Sequence, residues 1–405
     1  MKNKNYVLYF YCTLNKKSSA GVTTIYKIID FINRSGIPSY IILQNETIGG
    51  IGYENPGSIN SKYITKLLTN EILENNIKEN KKPIFIYPDV VSNNPFKAEN
   101  VCRLFLYYNG LLTGKSSLNN CKNEGHIYFS EKIKVHANVS SALYKNIICL
   151  PIADEDKLAN IKHDTHVRSK IYYYDAKFSN NLNGVIPKDI KKYEKLDRDQ
   201  KNSLSQNELF KKLRSAKLVH IFEDTALIYE ALLLGCSVNI HPDGAFHKNT
   251  TLVSDDVNLF GAISKREVED IDIELSKNDI DKFKEEYKLW RKKGYAQITS
   301  FLGNLNKHEG NFNKKNISVL KKHLKKTEYY LKLSNKEIKN NSNIFTRIKF
   351  FITLIFIKSL YRIYLLIIKN RFGNLIFKKP LYFIYSLLPE FLKYVIISNI
   401  KTFKS

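Results

Sequence analysis

One stretch of the chain places carboxylates and a helix start in an order that suits the binding of an anion. It runs from Leu218 to His247 and reads LVHIFEDTALIYEALLLGCSVNIHPDGAFH. Its apolar ends predict two strands, and Thr225–Leu234 predicts the helix between them. A helix N-terminus beyond the carboxyl end of a parallel strand offers free N–H groups and a partial positive charge. This position is therefore expected to bind a diphosphate.

Three acidic residues lie in this stretch. Glu223 and Asp224 precede the predicted helix, and either of them can cap it. Glu230 lies seven residues after Glu223, almost two helical turns, so the two side chains are expected on nearly the same face. The alternatives are structural: helix capping for Asp224 and Thr225, and a buried capping or packing role for Glu230.

Strands alternate with helices along the whole chain, which is the pattern of parallel, doubly wound sheets. The first half predicts strands at Tyr6–Tyr11, Ser39–Leu43, Pro83–Tyr87, Ile127–Ser130 and Ile147–Leu150, and helices at Thr23–Asn33, Lys62–Asn75 and Ala98–Tyr107. The second half predicts strands at Lys170–Tyr174, Gly184–Pro187, Leu218–Phe222 and Ser237–His241, and a helix at Gln206–Ala216. Two long polar helices are expected at Asp279–Leu302 and Lys314–Asn340.

The repeated alternation predicts two Rossmann-like domains and an appendage. A chain of 405 residues is too long for one ordinary core, and 43% hydrophobic residues exclude a disordered chain. We expect domains over residues 1–155 and 156–305, and a basic, apolar helical tail over 306–405. Five cysteines without paired or metal-type spacing favour a reducing, cytosolic location.

The stretch around Glu230 resembles the donor-binding signature of the GT-B glycosyltransferases. In that superfamily an acidic residue follows a strand, and a Glu-Ala pair leads to Gly-Cys or Gly-X-Pro-Val. Glu230-Ala231 and Gly235–Val238 occupy those places. The closer resemblance is to enzymes from bacterial capsule and O-antigen clusters. Their version reads roughly Asp-x-x-Thr-x-x-x-x-Glu-Ala, and Asp224 and Thr225 approximate it with altered spacing.

Segments of the N-terminal half resemble the same branch. Tyr87–Pro95 reads YPDVVSNNP, where the branch has Tyr-Pro-Glu-x-x-x-x-Asn-Pro, and Asn100–Arg103 matches its later Asn-Val-x-Arg. Ser19–Thr23 resembles its glycine-bearing loop, with Ala20 in place of a second glycine. The resemblance covers roughly residues 5–300. It implies an α/β fold of the GT-B type, with an acceptor-side domain and a nucleotide-sugar donor domain facing across a cleft.

The resemblance also implies a donor site, whose candidate residues are Gly21, Lys177, Arg198, Glu223, Thr225 and Glu230. Glu230 would hold the ribose hydroxyls, while Lys177 and Arg198 would bind the diphosphate in place of a metal. Gly21 would give the backbone room to approach the donor. The alternatives are solvated surface charges for the two cations and an ordinary turn for the glycine. No cofactor is expected, because the nucleotide-sugar is a substrate.

Two carboxylates are the candidate catalytic residues. Asp89 is the candidate acceptor-side base or positioning group, against a structural loop carboxylate, and Asp224 lies at the donor cleft. Arg103 is expected to pair with a loop acid. Asp154-Glu155-Asp156 has the Asp-x-Asp form of metal-dependent transferases, but we interpret it as the crossing between domains and predict no metal site.

The positive charge of the chain is concentrated in its C-terminal quarter. Of a net charge of +25, residues 306–405 supply +17, from 21 Lys or Arg against four Glu. Two apolar stretches, Phe350–Ile368 and Leu381–Ile400, approach the length of a membrane span but contain internal charges. We expect them to lie on an anionic membrane, at the inner face of the plasma membrane. The alternatives are packing on the domains or oligomerisation, and a true membrane span. Nucleic acid is not an expected partner, since no recognisable module is present.

The leading hypothesis is a metal-independent glycosyltransferase that moves a sugar from a nucleotide-sugar to a lipid-linked or growing surface polysaccharide. One alternative is a transferase that moves a non-sugar group, such as a phosphoryl derivative, to a surface glycan. The other is a non-catalytic, membrane-bound scaffold with a degenerate GT-B fold. Because the acidic residues are not spaced as in the signature, the scaffold remains an alternative hypothesis.

Overall fold

A computed structural model describes residues 5–14, 19–45, 63–111, 124–139, 141–151, 153, 158, 168–197, 204–223, 225–244 and 260–340 of the chain. The chain divides into two compact units, residues 1–327 and 328–405. Both sheets belong to the first unit. Of the second unit, the structure describes the helical residues 328–340.

The elements alternate as the sequence predicts. The described strands are β1 (Tyr6–Cys12), β2 (Ser39–Leu43), β3 (Lys66–Leu67), β4 (Lys82–Pro88), β5 (Val101–Phe105), β6 (Gly125–Tyr128), β7 (Tyr144–Ile147), β8 (Lys170–Tyr174), β9 (Glu194–Lys195), β10 (Ala216–Ile221), β11 (Ser237–Ile240) and β12 (Ala262–Ile263). The described helices are α1 (Ala20–Arg34), α2 (Asn70–Lys78), α3 (Glu131–Ala137), α4 (Ala176–Leu182), α5 (Lys188–Lys191), α6 (Gln206–Ser215), α7 (Leu227–Leu233), α8 (Asp270–Gly303) and α9 (Lys314–Asn340).

The first sheet has the strand order β3-β2-β1-β4-β5-β6-β7, and all its neighbouring strands are parallel. Strand β1, which lies between β2 and β4, is buried along Tyr6–Phe10, as expected of a strand covered on both faces. The strand order reverses between β1 and β4. This reversal is the topological switch point, beyond whose carboxyl ends open α/β sheets bind ligands.

The second sheet has the order β12-β11-β10-β8-β9 and is also parallel throughout. Its order reverses between β8 and β10, which gives a second switch point. Two parallel, doubly wound sheets follow one another along the chain, which confirms the predicted α/β fold. A GT-B fold is built from two such sheets. The boundaries at residues 155 and 305 remain predictions.

Helix α1 begins three residues earlier than the sequence predicts. Ser19 is its N-cap and accepts a hydrogen bond from the backbone N–H of Val22, 3.4 Å away. The capping hydrogen bond of this serine explains the earlier start. Gly21 therefore lies in the first turn of the helix and not in a loop.

The predicted helix at Ala98–Tyr107 is wrong, because Val101–Phe105 is the fifth strand of the first sheet. All five residues are buried and pair with β4 and β6. A short apolar run has no periodicity that separates a fully buried strand from a buried helix. The one charged side chain of the strand, Arg103, is fully buried.

Other boundaries also differ from the predictions, among them that of β7, which ends at Ile147, where the predicted strand begins. Within Lys62–Asn75, the described residues form strand β3 and then α2, which begins after Thr69, whose hydroxyl accepts a hydrogen bond from Ile72 N–H. Gly184–Pro187 is not a strand, and the neighbour of β8 is instead β9. Helix α8 begins nine residues before Asp279, because Glu269 and Asp272 form a capping box there.

The two long helices pack differently. In α8, Phe283, Tyr287 and Trp290 join the core of the second sheet, whereas Tyr295 stacks on Phe31 of α1 with ring centroids 4.8 Å apart. Helix α9 has the predicted bounds and places Leu320 and Leu324 in the core of the first sheet. Within the described residues, no helix combines the length and hydropathy needed to cross a membrane. The predicted apolar stretches of the tail lie outside those residues.

Candidate functional site

Four of the candidate residues lie at the two switch points. Asp89 follows β4 directly, and Gly21 lies in the helix after β1, so both stand at the carboxyl edge of the first sheet. Lys177 follows β8 and Glu223 follows β10, at the corresponding edge of the second sheet. Each pair therefore occupies the place where a parallel sheet binds ligands.

Asp89 is a buried carboxylate poised to titrate near neutral pH. Burial raises its pKa to about 6, and this effect outweighs the backbone N–H groups of Leu106 and Tyr107, which favour the charged form. Both of these residues come directly after β5. A carboxylate with this pKa is half ionised near pH 6 and mostly ionised at physiological pH, which is the form that a general base requires.

Arg103 holds the loop that follows Asp89. Its guanidinium donates hydrogen bonds to the carbonyls of Val91 and Asn93, at 2.6 and 2.9 Å. It also donates to both carboxylate oxygens of Glu124, each 3.2 Å away. The predicted pairing of Arg103 with a loop acid is therefore confirmed. Because Asn93 has a φ of 60°, the clamp also fixes a left-handed turn.

Glu223 and Lys177 are brought together at the second switch point. The Glu223 carboxylate is fully buried, and its Oε2 accepts a hydrogen bond from the backbone N–H of Phe178, 2.8 Å away. Its Oε1 lies 4.0 Å from Lys177 Nζ and has no hydrogen bond among the described residues. Burial raises the pKa of Glu223, and the Lys177 charge opposes that rise. The pair thus combines an incompletely satisfied carboxylate with a partly exposed cation.

Tyr107 joins the two halves of this arrangement. Lys177 Nζ lies 4.5 Å from the centre of its ring, while the backbone of Tyr107 faces Asp89. Sequence reasoning missed Tyr107 because its segment was interpreted as a helix. Had β5 been recognised as a strand, the position of Tyr107 just beyond its carboxyl end would have marked it.

Gly21 approaches the same region. A Cβ atom built on it would lie 3.4 Å from Leu106 Cδ1, an ordinary contact. The neighbouring residue, Leu106, is one whose N–H favours the charged form of Asp89. The contact brings the first turn of α1 to the Asp89 loop, and the proposed approach of a donor to this glycine stays a prediction.

The start of α7 and the contacts of the acidic residues near it differ from the prediction. Helix α7 begins at Leu227, so Glu223 and Glu230 do not share a helical face, and Glu223 bonds to the start of α4 instead of capping α7. Thr225 accepts a hydrogen bond from Leu227 N–H at 3.3 Å, which is a local capping contact. Glu230 is buried in α7. Asp224 and Arg198 lie outside the described residues.

The turn that follows β11 packs tightly against the end of β10. A Cβ on Gly244 would lie 2.5 Å from the carbonyl oxygen of Phe222, so only glycine permits this approach. The ring of His241 stacks on the Phe222 ring with centroids 4.4 Å apart. These contacts fix the backbone immediately before Glu223, and they give His241 a packing role.

Metal-binding clusters were sought in the part of the chain that the structure describes. No group of three or more His, Cys, Asp or Glu residues there is placed to hold a metal ion. The Asp154–Asp156 motif lies outside that part. Metal independence therefore stays a prediction.

Comparisons with known proteins give distant structural likeness. No family model matches the chain, and no curated protein matches its sequence. Spinosyn forosaminyltransferase SpnP shares 11% identity over 75% of this chain and 98% of its own, with a TM-score of 0.34. T4 phage BGT in complex with UDP and Mn2+ shares 11% identity over 82% of this chain and 99% of its own, with a TM-score of 0.32. Spinosyn rhamnosyltransferase SpnG complexed with thymidine diphosphate shares 9% identity over 73% of this chain and 96% of its own, with a TM-score of 0.26. Structural similarity at this level gives no information about the activity of this chain.

Proposed function

We propose that this chain is a glycosyltransferase that moves a sugar from a nucleotide-sugar to a surface-polysaccharide acceptor, lipid-linked or growing, at the inner face of the plasma membrane. The observation that carries the proposal is the meeting of two switch points. A cation beside a buried carboxylate at one sheet lies against Tyr107, whose backbone faces Asp89 at the other. The resemblance of three segments to capsule and O-antigen enzymes adds independent support.

The two carboxyl edges divide the chemistry of such a transfer. Lys177 supplies positive charge where the leaving nucleotide diphosphate develops negative charge. Asp89 takes the proton of the acceptor hydroxyl as that oxygen attacks the anomeric carbon and the bond to the diphosphate breaks. Asp89 and the Glu223 carboxylate beside Lys177 are buried, which lowers the effective dielectric around them and strengthens these electrostatic interactions. Glu230, buried in α7, is the proposed ligand of the donor ribose.

The test is calorimetric binding of UDP, GDP, CMP and dTDP to the full chain. Truncation at residue 305 is unsuitable, because it would remove Leu320 and Leu324 from the core of the first sheet. We expect one of these nucleotides to bind, and we expect Glu230→Gln to weaken its binding. Glu274→Gln is the matched control, since that carboxylate is exposed and pairs only with Lys277 within α8 among the contacts described.

The two outcomes of this experiment distinguish a nucleotide-sugar donor site from the alternatives. One nucleotide bound by the wild type and the control, and lost in Glu230→Gln, supports the donor site and limits the sugar to that nucleotide's derivatives. A folded chain that binds none of the four contradicts the proposal. The non-catalytic scaffold or a donor that is not a nucleotide-sugar would then replace it.

A further inference from the structure

Glu223 is a fully buried carboxylate, and one of its oxygens has no hydrogen bond among the described residues. Its Oε2 accepts the Phe178 N–H at 2.8 Å, whereas Oε1 lies 4.0 Å from Lys177 Nζ, beyond hydrogen-bond distance. A buried ionised oxygen in this state costs free energy, and folding alone gives no reason to retain it. Such a group indicates a role in which its partner or its charge changes.

The buried ion pair of the first sheet shows what a purely structural pair looks like in this chain. Both carboxylate oxygens of Glu124 accept hydrogen bonds from Arg103, each at 3.2 Å. The Arg103 side chain is completely buried, so it cannot turn to a ligand, whereas the Lys177 side chain is 35% exposed. The pair of Glu223 and Lys177 is therefore loose where the structural pair is tight, and its cation reaches the surface of the site.

Lys177 is the counter-charge of Glu223 among the described residues. The other lysine of the site, Lys195, has its Nζ 2.6 Å from Asp175 Oδ1 and is already engaged. Besides burial, the like charge of Asp175 raises the pKa of Glu223. The ring of His241 packs on the residue before Glu223, but burial lowers its pKa below the ordinary 6.5, so it is uncharged at neutral pH. The two carboxylates and the two ammonium groups therefore balance before any ligand binds.

We propose that Glu223 is the proton-linked counter-ion of Lys177: ionised, it holds the ammonium group, and when a nucleotide diphosphate takes that group, Glu223 binds a proton. The proton comes from the solvent, forms an O–H bond on the carboxylate and returns to the solvent when the diphosphate leaves. A buried carboxylate whose counter-charge has turned to another anion is stabilised by neutralisation, since a second negative charge then lies close to it. The proposal rests on the proposed function, because it takes Lys177 as the diphosphate ligand.

The linkage fixes the direction in which diphosphate affinity changes with pH. Burial already raises the pKa of Glu223 above its ordinary value of 4.5 in the free protein, and a bound diphosphate raises it further. Between these two pKa values binding takes up a proton, so affinity increases up to about tenfold for each unit by which the pH falls. Protonation of the ligand's own phosphate near pH 6 acts in the opposite sense, because it removes negative charge from the ligand.

The experiment is calorimetric binding of inorganic pyrophosphate, UDP, GDP and dTDP to the full chain between about pH 5.5 and 8.5. Buffers of low and high ionisation enthalpy count the protons taken up on binding. Glu223→Gln keeps an oxygen that accepts the Phe178 N–H and represents the protonated state. Glu194→Gln is the matched control, because Glu194 is an exposed glutamate of β9 that pairs with Lys212.

We expect the wild type and Glu194→Gln to take up about one proton more per bound diphosphate than Glu223→Gln does. Glu223→Gln should bind about tenfold more tightly than the wild type at the alkaline end of the range and nearly equally at the acid end. Ionisation of the ligand is common to the three proteins, so it cancels in this comparison. A glutamate that contacted the ligand directly would give the opposite result, which is weaker binding by Glu223→Gln at every pH.

A second measurement, urea unfolding, needs no ligand. Lys177→Met removes the counter-charge permanently, so Glu223 should hold a proton in the folded state at higher pH than in the wild type. A raised folded-state pKa makes stability fall as the pH rises through it. The folding equilibrium constant of Lys177→Met should therefore decrease relative to the wild type, up to about tenfold for each pH unit, and that of Lys177→Met/Glu223→Gln should not.

Three results would overturn the proposal: equal proton uptake by the wild type and Glu223→Gln, weaker binding by Glu223→Gln throughout, or the same pH dependence of stability in Lys177→Met and the double variant. Failure of the donor site is distinguishable from these. Pyrophosphate bound with the proton linkage, and no nucleotide bound, supports the counter-ion role and contradicts the proposed function. A nucleotide bound without the linkage supports the donor site and contradicts the counter-ion role, and no binding of any ligand contradicts both.

Discussion

Lys177 Nζ lies 4.5 Å from the centre of the Tyr107 ring, so a cation at the edge of one sheet is held by an aromatic ring at the edge of the other. The same ammonium group lies 4.0 Å from a buried oxygen of Glu223. It is partly exposed and lies in the first turn of α4, just after β8, which leaves it able to reach a ligand between the two edges.

Replacing Lys177 by methionine should weaken nucleotide diphosphate binding by about 10- to 100-fold, the effect of losing one charged hydrogen-bond donor. The measurement is calorimetry with the nucleotide that the wild type binds. Lys192→Met is the matched control, because Lys192 also lies over a tyrosine ring, that of Tyr193, but before β9. Unchanged affinity in Lys177→Met would remove this lysine from the donor site.

Asp89→Asn should lower kcat by about 100- to 10,000-fold, because an amide cannot accept the acceptor's proton. In the wild type, kcat/KM should rise with pH and level off above about 6, the pKa to which burial raises Asp89. The variant should lose this limb of the profile. Asp270→Asn, at an exposed carboxylate paired with Lys217, should behave as the wild type. An unchanged limb in Asp89→Asn would assign the base to another residue.

The stability of Asp89→Asn relative to the wild type should increase as the pH rises. The raised pKa means that the folded state holds a proton that the unfolded state releases, so this site's contribution is intact below pH 3.8 and is lost as pH rises through about 6. The asparagine variant avoids that loss. Its free energy of unfolding relative to that of the wild type should be up to about 3 kcal/mol larger at pH 7.5 than near pH 4. Urea unfolding of both proteins at the two pH values measures this, and a constant difference would contradict it.

The ion pair of Arg103 and Glu124 should show strong coupling. Arg103→Met leaves a buried carboxylate without its partner and should cost about 3–5 kcal/mol of unfolding free energy. Because Glu124→Leu removes that carboxylate, the double variant should lose less than the sum of the single losses, by about 1–3 kcal/mol. Urea unfolding of the four proteins completes the cycle, and additive losses would show that the two side chains do not interact.

The sequence predicted those features that depend on local pattern. Helix α9 has the predicted bounds, and both parallel sheets were anticipated, because the alternation of apolar runs with amphipathic helices is itself local. Strand β5 was not anticipated, since the burial of Arg103 depends on Glu124, which is distant in the chain and comes next to it only through strand pairing. For the same reason Glu223 was expected to cap the next helix, whereas it bonds to Phe178 in a different strand–helix unit.

The packing of α8 has a consequence for how the molecule unfolds. One part of the helix completes the core of the second sheet, and further along Tyr295 stacks on the first sheet's helix α1. Between these contacts, a Cβ on Gly294 would lie 2.7 Å from the Cys149 carbonyl, so the helix lies directly on the chain that links the two sheets. Neither sheet can lose its structure without exposing apolar surface that the other helps to cover. The two halves should therefore melt in one cooperative transition, as a single thermodynamic unit.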